Sequence, residues 1–284
     1  MNLTNALIAK LHIKMLGNRT KDEILTDEIH STHSMSEDTG GYYKCPLPPA
    51  CFAAVHAAAR STRAKHKQLT FMSPYGSVLP TGKIEAYNST LREMQERWDE
   101  AVRAFVHAYP QNLTLARQRL NGAFKEEDYP SPIDVARCFR FDFLLVPLPN
   151  ANALDDLVGL ADSRVRQMRE QLTATSREAE DGIRRQLLNR ILVRVQNLGN
   201  ALANPSYAPN SAVLDRFTQM LDDVAVMNIT QDTAIMRLVA DCRQHLVLSA
   251  ERLRNEPVTR THTLAAASLL LQSHGRRITP KATA

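Results

Sequence analysis

Between Pro149 and Pro205 the chain carries no proline. Over that stretch apolar or small residues fall at 154, 157, 161, 165, 168, 172, 179, 183, 187, 191, 195, 198 and 202, with charges between them. This is close to a heptad seam, and such spacing predicts helix. An unbroken helix of roughly 50 residues would be about 75 Å long at 1.5 Å per residue. That is longer than a compact domain is wide, so the helix must bend or project. Thr173 to Asp181 is poor in large apolar residues and Gly182 follows it, so the sequence predicts a break or bend there.

The same run divides the chain. We expect an α+β module over residues 1–150, a helical coiled-coil module over 151–260, and a short helix with a flexible basic tail over 261–284. The expected fold class is therefore α+β and predominantly α-helical: a small N-terminal sheet with helices, then long antiparallel helices. With 284 residues, 44% of them hydrophobic, the chain is long enough to bury a substantial core. Its longest apolar run, Leu264 to Leu271, is far short of the roughly 20 residues needed to span a bilayer. The N-terminus lacks the compact apolar stretch and small-residue cleavage site of a secretory signal, which points to the cytoplasm. Cys45, Cys51, Cys138 and Cys242 are too scattered for a disulfide framework and are expected as thiols.

In the first half, "LIAKLHIKML" alternates like a half-buried strand, and "KDEILTDEIHSTH" spaces like a short helix. A helix is expected from Pro49 to about Lys67, with proline in its first turn where no N–H is needed, followed by a strand at "QLTFMS". Ile84, Tyr87, Leu91, Met94, Trp98, Val102 and Val106 recur at steps of three and four, so a helix over Gly82 to Tyr109 buries that face. Pro110 is expected to interrupt it before a second helix, closed by Asn121-Gly122. Phe139, Phe141, Phe143 and Leu145 share one side of an expected strand that Pro147 and Pro149 end. Later helices are expected over "AVLDRFTQMLDDVAVM", from a Thr230 cap to about Asn255, and over Leu264 to Ser273.

No motif assigns a reaction. "YGSVLPTGKIEAY" has the outline of a phosphate loop, but five residues separate Gly76 from Gly82 where four are needed. Pro80 has no N–H to give, and Ile84 stands where serine or threonine would hold magnesium. His30, His33, Cys45 and Cys51 are proper zinc-ligand types without a usual knuckle spacing, and no metal or cofactor is expected. The carboxylate pairs at Asp155, Glu126 and Asp222 have no histidine at suggestive spacing, and no serine elbow or dinucleotide fingerprint is present. The net charge of +5 is diffuse. Residues 154–260 carry 14 basic and 14 acidic side chains, while the last 24 residues carry three basic and none acidic. A basic stripe at Arg184, Arg185, Arg190 and Arg194, together with Arg276 and Arg277 in the tail, is the candidate for DNA contact. Lone Trp98, at helical spacing, is expected in the core.

Taken in order, these segments resemble an uncharacterised family found mostly in bacteriophages and prophages. The likeness rests on Tyr75, Leu79 and Pro80 before a long helix with Tyr87, Phe105 and Tyr109, then Phe124, Asp128, Tyr129 and Pro130. It continues through an aromatic strand with Phe139, Phe141, Pro147 and Pro149 and a late helix start at Asn228, Ile229 and Asp232. Tyr75 stands where the family pattern has tryptophan, and "MNI" replaces its leucine form. The resemblance implies a phage-encoded cytoplasmic protein without catalytic residues, a partner or adaptor of a MoxR-type AAA+ ATPase. It places Tyr75, Leu79, Pro80, Tyr87, Tyr129, Pro130, Pro147 and Pro149 as interaction positions. The expected function is thus a non-enzymatic interaction protein that binds a protein partner or itself. The alternatives are DNA binding through the arginine stripe and tail, and a metal-dependent enzyme assembled from distant residues.

Overall fold

The computed structural model describes residues 5–149, 161–204, 206–207 and 209–275. It shows the expected class, predominantly α-helical α+β, with eight α-helices and a four-stranded sheet among the described residues. The chain forms two compact units. An aromatic unit comprises residues 10–69 and 85–144, and a helical unit comprises 1–9, 70–84 and 145–284. These boundaries differ from the contiguous modules expected from sequence. The segment 70–84 groups with the C-terminal helices because its Phe71 and Val78 enter their core, a nonlocal contact that a composition shift does not register.

In the aromatic unit, α1 (Glu23–His33) starts at Asp22, whose carboxylate accepts from Leu25 N–H. It ends at Ser34 in the left-handed region. The two-residue strands β2 (Thr20–Lys21) and β3 (Tyr43–Lys44) pair antiparallel. A 3₁₀ turn at Pro49–Phe52 leads into α2 (Ala53–Leu69). Helix α3 runs from Ile84 to Leu120 and buries Tyr87, Leu91, Met94, Trp98, Phe105, Tyr109 and Ala116. Tyr87, Leu91, Met94 and Trp98 belong to the expected face, but Ile84, Val102 and Val106 are only partly buried and Phe105 and Tyr109 take the core beyond Trp98. Each large buried side chain contributes about 1.5–3 kcal/mol. The expected interruption at Pro110 does not occur: the helix continues through it. Pro110 is exposed, and the buried anchors Phe105 and Tyr109 before it and Ala116 after it offset the missing N–H.

Phe139 and Phe141 pack on Trp98, and Phe143 packs on Tyr87. Phe141 and Phe143 come from strand β6 (Arg140–Pro147), where alternation sets them on one face as expected.

In the helical unit, β4 (Phe71–Ser73) and β5 (Gly76–Pro80) form a hairpin with Ser73 opposite Gly76, whose φ of +97° only glycine adopts readily. Residues Val78 to Pro80 of β5 pair antiparallel with Ile8 to Ala6 of β1 (Ala6–Lys14), in the sheet order β4-β5-β1-β6. Helix α4 spans Asp162–Ala203, 42 residues and so about 63 Å. The expected break near Gly182 is absent. A helical glycine costs only about 1 kcal/mol against alanine, whereas Ala179, Ile183, Leu187, Ile191, Val195, Leu198 and Leu202 are all buried. Their face packs on β4, α5 (Ser211–Met227), α6 (Thr233–Leu246) and α8 (Pro257–Gln272). It therefore serves several neighbours rather than one coiled-coil partner.

The expected Thr230 cap is also corrected: Asp232 caps α6 through Ala234 N–H, and the Thr230 hydroxyl donates to Asn228 instead. A carboxylate directly before the helix reaches its second N–H without distortion. The expected helix to Asn255 is split after Leu246, and Ser249 caps the short α7 (Ala250–Asn255).

Candidate functional site

The last turns of α3 set Pro110, Leu113, Thr114 and Arg117 on one helical face, at steps of three and four. The helix stops at Asn121, which takes φ +45°, a conformation asparagine tolerates at a helix end. Two 3₁₀ turns, Asn121–Ala123 and Glu126–Asp128, then bring Phe124, Glu126, Tyr129, Pro130, Ser131 and Pro132 opposite that face. The space between is a cleft of about 440 Å³, within the range of ligand sites.

Its walls are fixed from behind. Phe124 and Tyr129 stack at 4.9 Å and 22°. The Tyr129 hydroxyl donates to the Pro46 carbonyl at 3.0 Å, and the Tyr109 hydroxyl donates to the Pro130 carbonyl at 2.9 Å. Beside them Lys44 is buried. Its ammonium meets Asp22 at 2.9 Å and Asp128 at 2.8 Å and donates to the Ala123 carbonyl at 2.9 Å. Burial pushes the Lys44 ammonium towards neutrality, but the two carboxylates outweigh it and hold its pKa above the ordinary value. Asp22 is held below the usual carboxylate range by the Lys44 hydrogen bond and by Leu25 N–H. Burial raises Tyr129, with Asp128 adding to it, and pushes Tyr109 up to about 12. This triad ties β3, the start of α1 and the turn after α3 together. No sequence motif announced it, because the three residues lie at positions 22, 44 and 128.

The lining is suited to recognition. Arg117 lies 4.9 Å from the Phe124 ring centre as a cation–π pair, with no carboxylate at ion-pair distance among the described residues. Ser131 does not face a base: its hydroxyl donates to Asp134 and accepts from Asp134 N–H, as a turn cap does.

Of the expected interaction positions, only Tyr129 and Pro130 line this cleft. Tyr87 is fully buried in the same unit, with its hydroxyl 2.9 Å from His66 Nδ1. Burial pushes Tyr87 up to about 12 and His66 down. Tyr75, Leu79, Pro80, Pro147 and Pro149 belong to the helical unit. The Tyr75 hydroxyl bonds Leu172 O and Ser176 Oγ, Leu79 and Pro80 are buried in β5, and Pro147 and Pro149 are exposed.

The arginine stripe is dispersed. Arg184 pairs with Asp232 at 2.6 Å and Asp181 at 3.3 Å, while Arg190 stacks on Phe71 and donates to Thr70 O. Arg185 and Arg194 are exposed, and Arg276 and Arg277 lie outside the described residues. The backbone of Gly76 to Pro80 is in strand pairing, and Lys83 pairs with Asp223, so the glycine-lysine stretch is not arranged as a phosphate cradle.

Among the possible zinc ligands, His30 Nε2 meets Gly40 O, His33 and Cys45 are exposed, and the Cys51 thiol donates to Pro48 O. Among the described residues no group of three or more His, Cys, Asp or Glu is placed to hold a metal ion. None of the helices among the described residues is long and apolar enough to cross a membrane. Comparison with protein-family models, with curated proteins and with solved structures gives no match.

Proposed function

We propose that this is a non-enzymatic interaction protein that holds a segment of a protein partner in the cleft between the end of α3 and residues 124–132. The observation that carries the reading is the lining itself. Prolines and stacked aromatics make rigid apolar walls, and Arg117 supplies the positive charge beside the carboxylate of Glu126. Such walls bind with little loss of side-chain freedom, because prolines and paired rings are ordered before the ligand arrives. The titratable groups of the lining are Arg117, Glu126 and Tyr129, and the Tyr129 hydroxyl is already engaged by Pro46. The resemblance to phage proteins makes a MoxR-type AAA+ ATPase the first partner to test.

The test places a photo-reactive residue at Ser131 of the full chain and irradiates it with the purified ATPase and with whole host extract. A discrete protein adduct that Leu113→Glu abolishes, and that re-forms from the purified components, supports the proposal. Adducts to nucleic acid alone, or a pattern indifferent to Leu113→Glu, overturn it.

A further inference from the structure

Resting on that reading, we infer that the cleft selects a peptide segment bearing one carboxylate next to an apolar side chain, and that Arg117 is the residue that reads the acid. The Arg117 guanidinium carbon lies over the Phe124 ring at 4.9 Å, and the side chain makes no ion pair among the described residues, so its planar edge of N–H donors is left for a ligand. A planar edge of this kind matches a carboxylate with two parallel hydrogen bonds. The Arg117 side chain is exposed and lines a partly apolar cleft, so the apolar walls beside it add contact area to that bond. Lys44, a buried cation of the same unit, is not available to a ligand acid, because Asp22, Asp128 and the Ala123 carbonyl enclose it.

The apolar requirement comes from Pro110, Leu113, Pro130 and Pro132, which can take one side chain beside the acid. Ile133, directly after Pro132, is 81% exposed and extends the apolar character beyond the lining. A run of acids is disfavoured. Glu126 lines the same cleft and Glu127 is exposed beside it, so a second carboxylate entering with the first meets like charge. The ligand is therefore a mixed segment, acid next to apolar residue, rather than a polyanion.

A random peptide library panned on the immobilised full chain tests this, with affinities of the enriched peptides then measured by fluorescence anisotropy. We expect enriched peptides to share a single Asp or Glu beside a large apolar residue. Arg117→Gln is expected to weaken them roughly two- to fivefold, with Arg117→Lys intermediate because it keeps the charge but not the fork. Helicity and Trp98 fluorescence report whether each variant is folded. Enriched peptides that lack an acid, or that bind Arg117→Gln as well as the native chain, yet are lost on Leu113→Glu, overturn the assignment to Arg117 and leave the cleft as a protein-binding site. Peptides that bind Leu113→Glu undiminished, or enrichment of acidic runs alone, overturn the inference and remove the cleft from the proposed function as well.

Discussion

The two units solve the problem of a core with different chemistry. The helical unit is largely aliphatic: Ile183, Leu187, Ile191, Leu198, Leu221, Leu238 and Leu271 fill it, and two of its arginines staple main-chain carbonyls. Arg260 donates to Leu202, Asn204 and Tyr207, and Arg190 donates to Thr70. The aromatic unit packs Phe52, Tyr87, Trp98, Phe105, Tyr109 and Phe141 and encloses polar pairs, Lys44 with two carboxylates and His66 with Tyr87. An aliphatic seam is additive and tolerant, since each side chain buries area largely independently. Rings and buried ions demand specific partners and angles. The unit with the demanding core is the one that contains the cleft, and its walls are held by the tyrosine hydroxyls and the lysine triad.

The comparison can be broken most sharply by deleting one large side chain from each core. Trp98→Ala should cost about 3–5 kcal/mol and Leu187→Ala about 2–5 kcal/mol, read from urea denaturation followed by circular dichroism. If Trp98→Ala were as mild as a surface change, the aromatic core would not be the close-packed element described here. Next comes Lys44→Ala, expected to cost about 3–5 kcal/mol because Asp22 and Asp128 would face each other unpaired. Lys44→Met with both acids changed to Asn should recover much of that loss. Recovery by Lys44→Met alone would show that the carboxylates are better solvated than their surroundings indicate.

A smaller effect is expected from acid. His66 has a folded pKa below its ordinary 6.5 because burial opposes the charge. Below about 6.5 the unfolded chain therefore binds a proton that the folded chain refuses, and stability falls as pH drops towards the depressed value. Tyr87, the group facing it, stays neutral throughout this window. Urea midpoints measured from pH 7.5 downwards should decline in the native chain and decline less in His66→Asn. Equal slopes would remove His66 as the cause.

The smallest expected effect lies in the helical unit. A Cβ at Gly82 would stand 2.6 Å from Val226 Cγ1, so Gly82→Ala should cost about 1 kcal/mol and Val226→Ala should relieve it. Additive effects of the two changes would place the glycine requirement elsewhere.

Much of this architecture was legible in the chain. The seam from Ala179 to Leu202, the face from Tyr87 to Trp98 and the alternation from Phe139 to Phe143 are local periodicities, and burial of a periodic apolar face follows from the geometry of helix and strand alone. Where local rules failed, packing had outweighed them: α3 passes through Pro110 and α4 passes through Gly182 because buried neighbours on both sides contribute more than either residue costs. The cleft was legible only in part. Tyr129 and Pro130 stood out through the family resemblance, but Arg117 read as one charge among many on a helix face.

The amino-acid sequence by itself determined where most helices and the longer strands lie and, over Tyr87–Trp98 and Ala179–Leu202, which face is apolar, since those depend on neighbours a few positions apart. Only the tertiary structure decided that residues 22, 44 and 128 share one buried charge cluster, that 70–84 packs with the C-terminal helices, and that the end of α3 faces residues 124–132 across a cleft. Those outcomes depend on contacts between residues far apart in the chain, and no spacing within a single segment encodes the angle at which two elements meet.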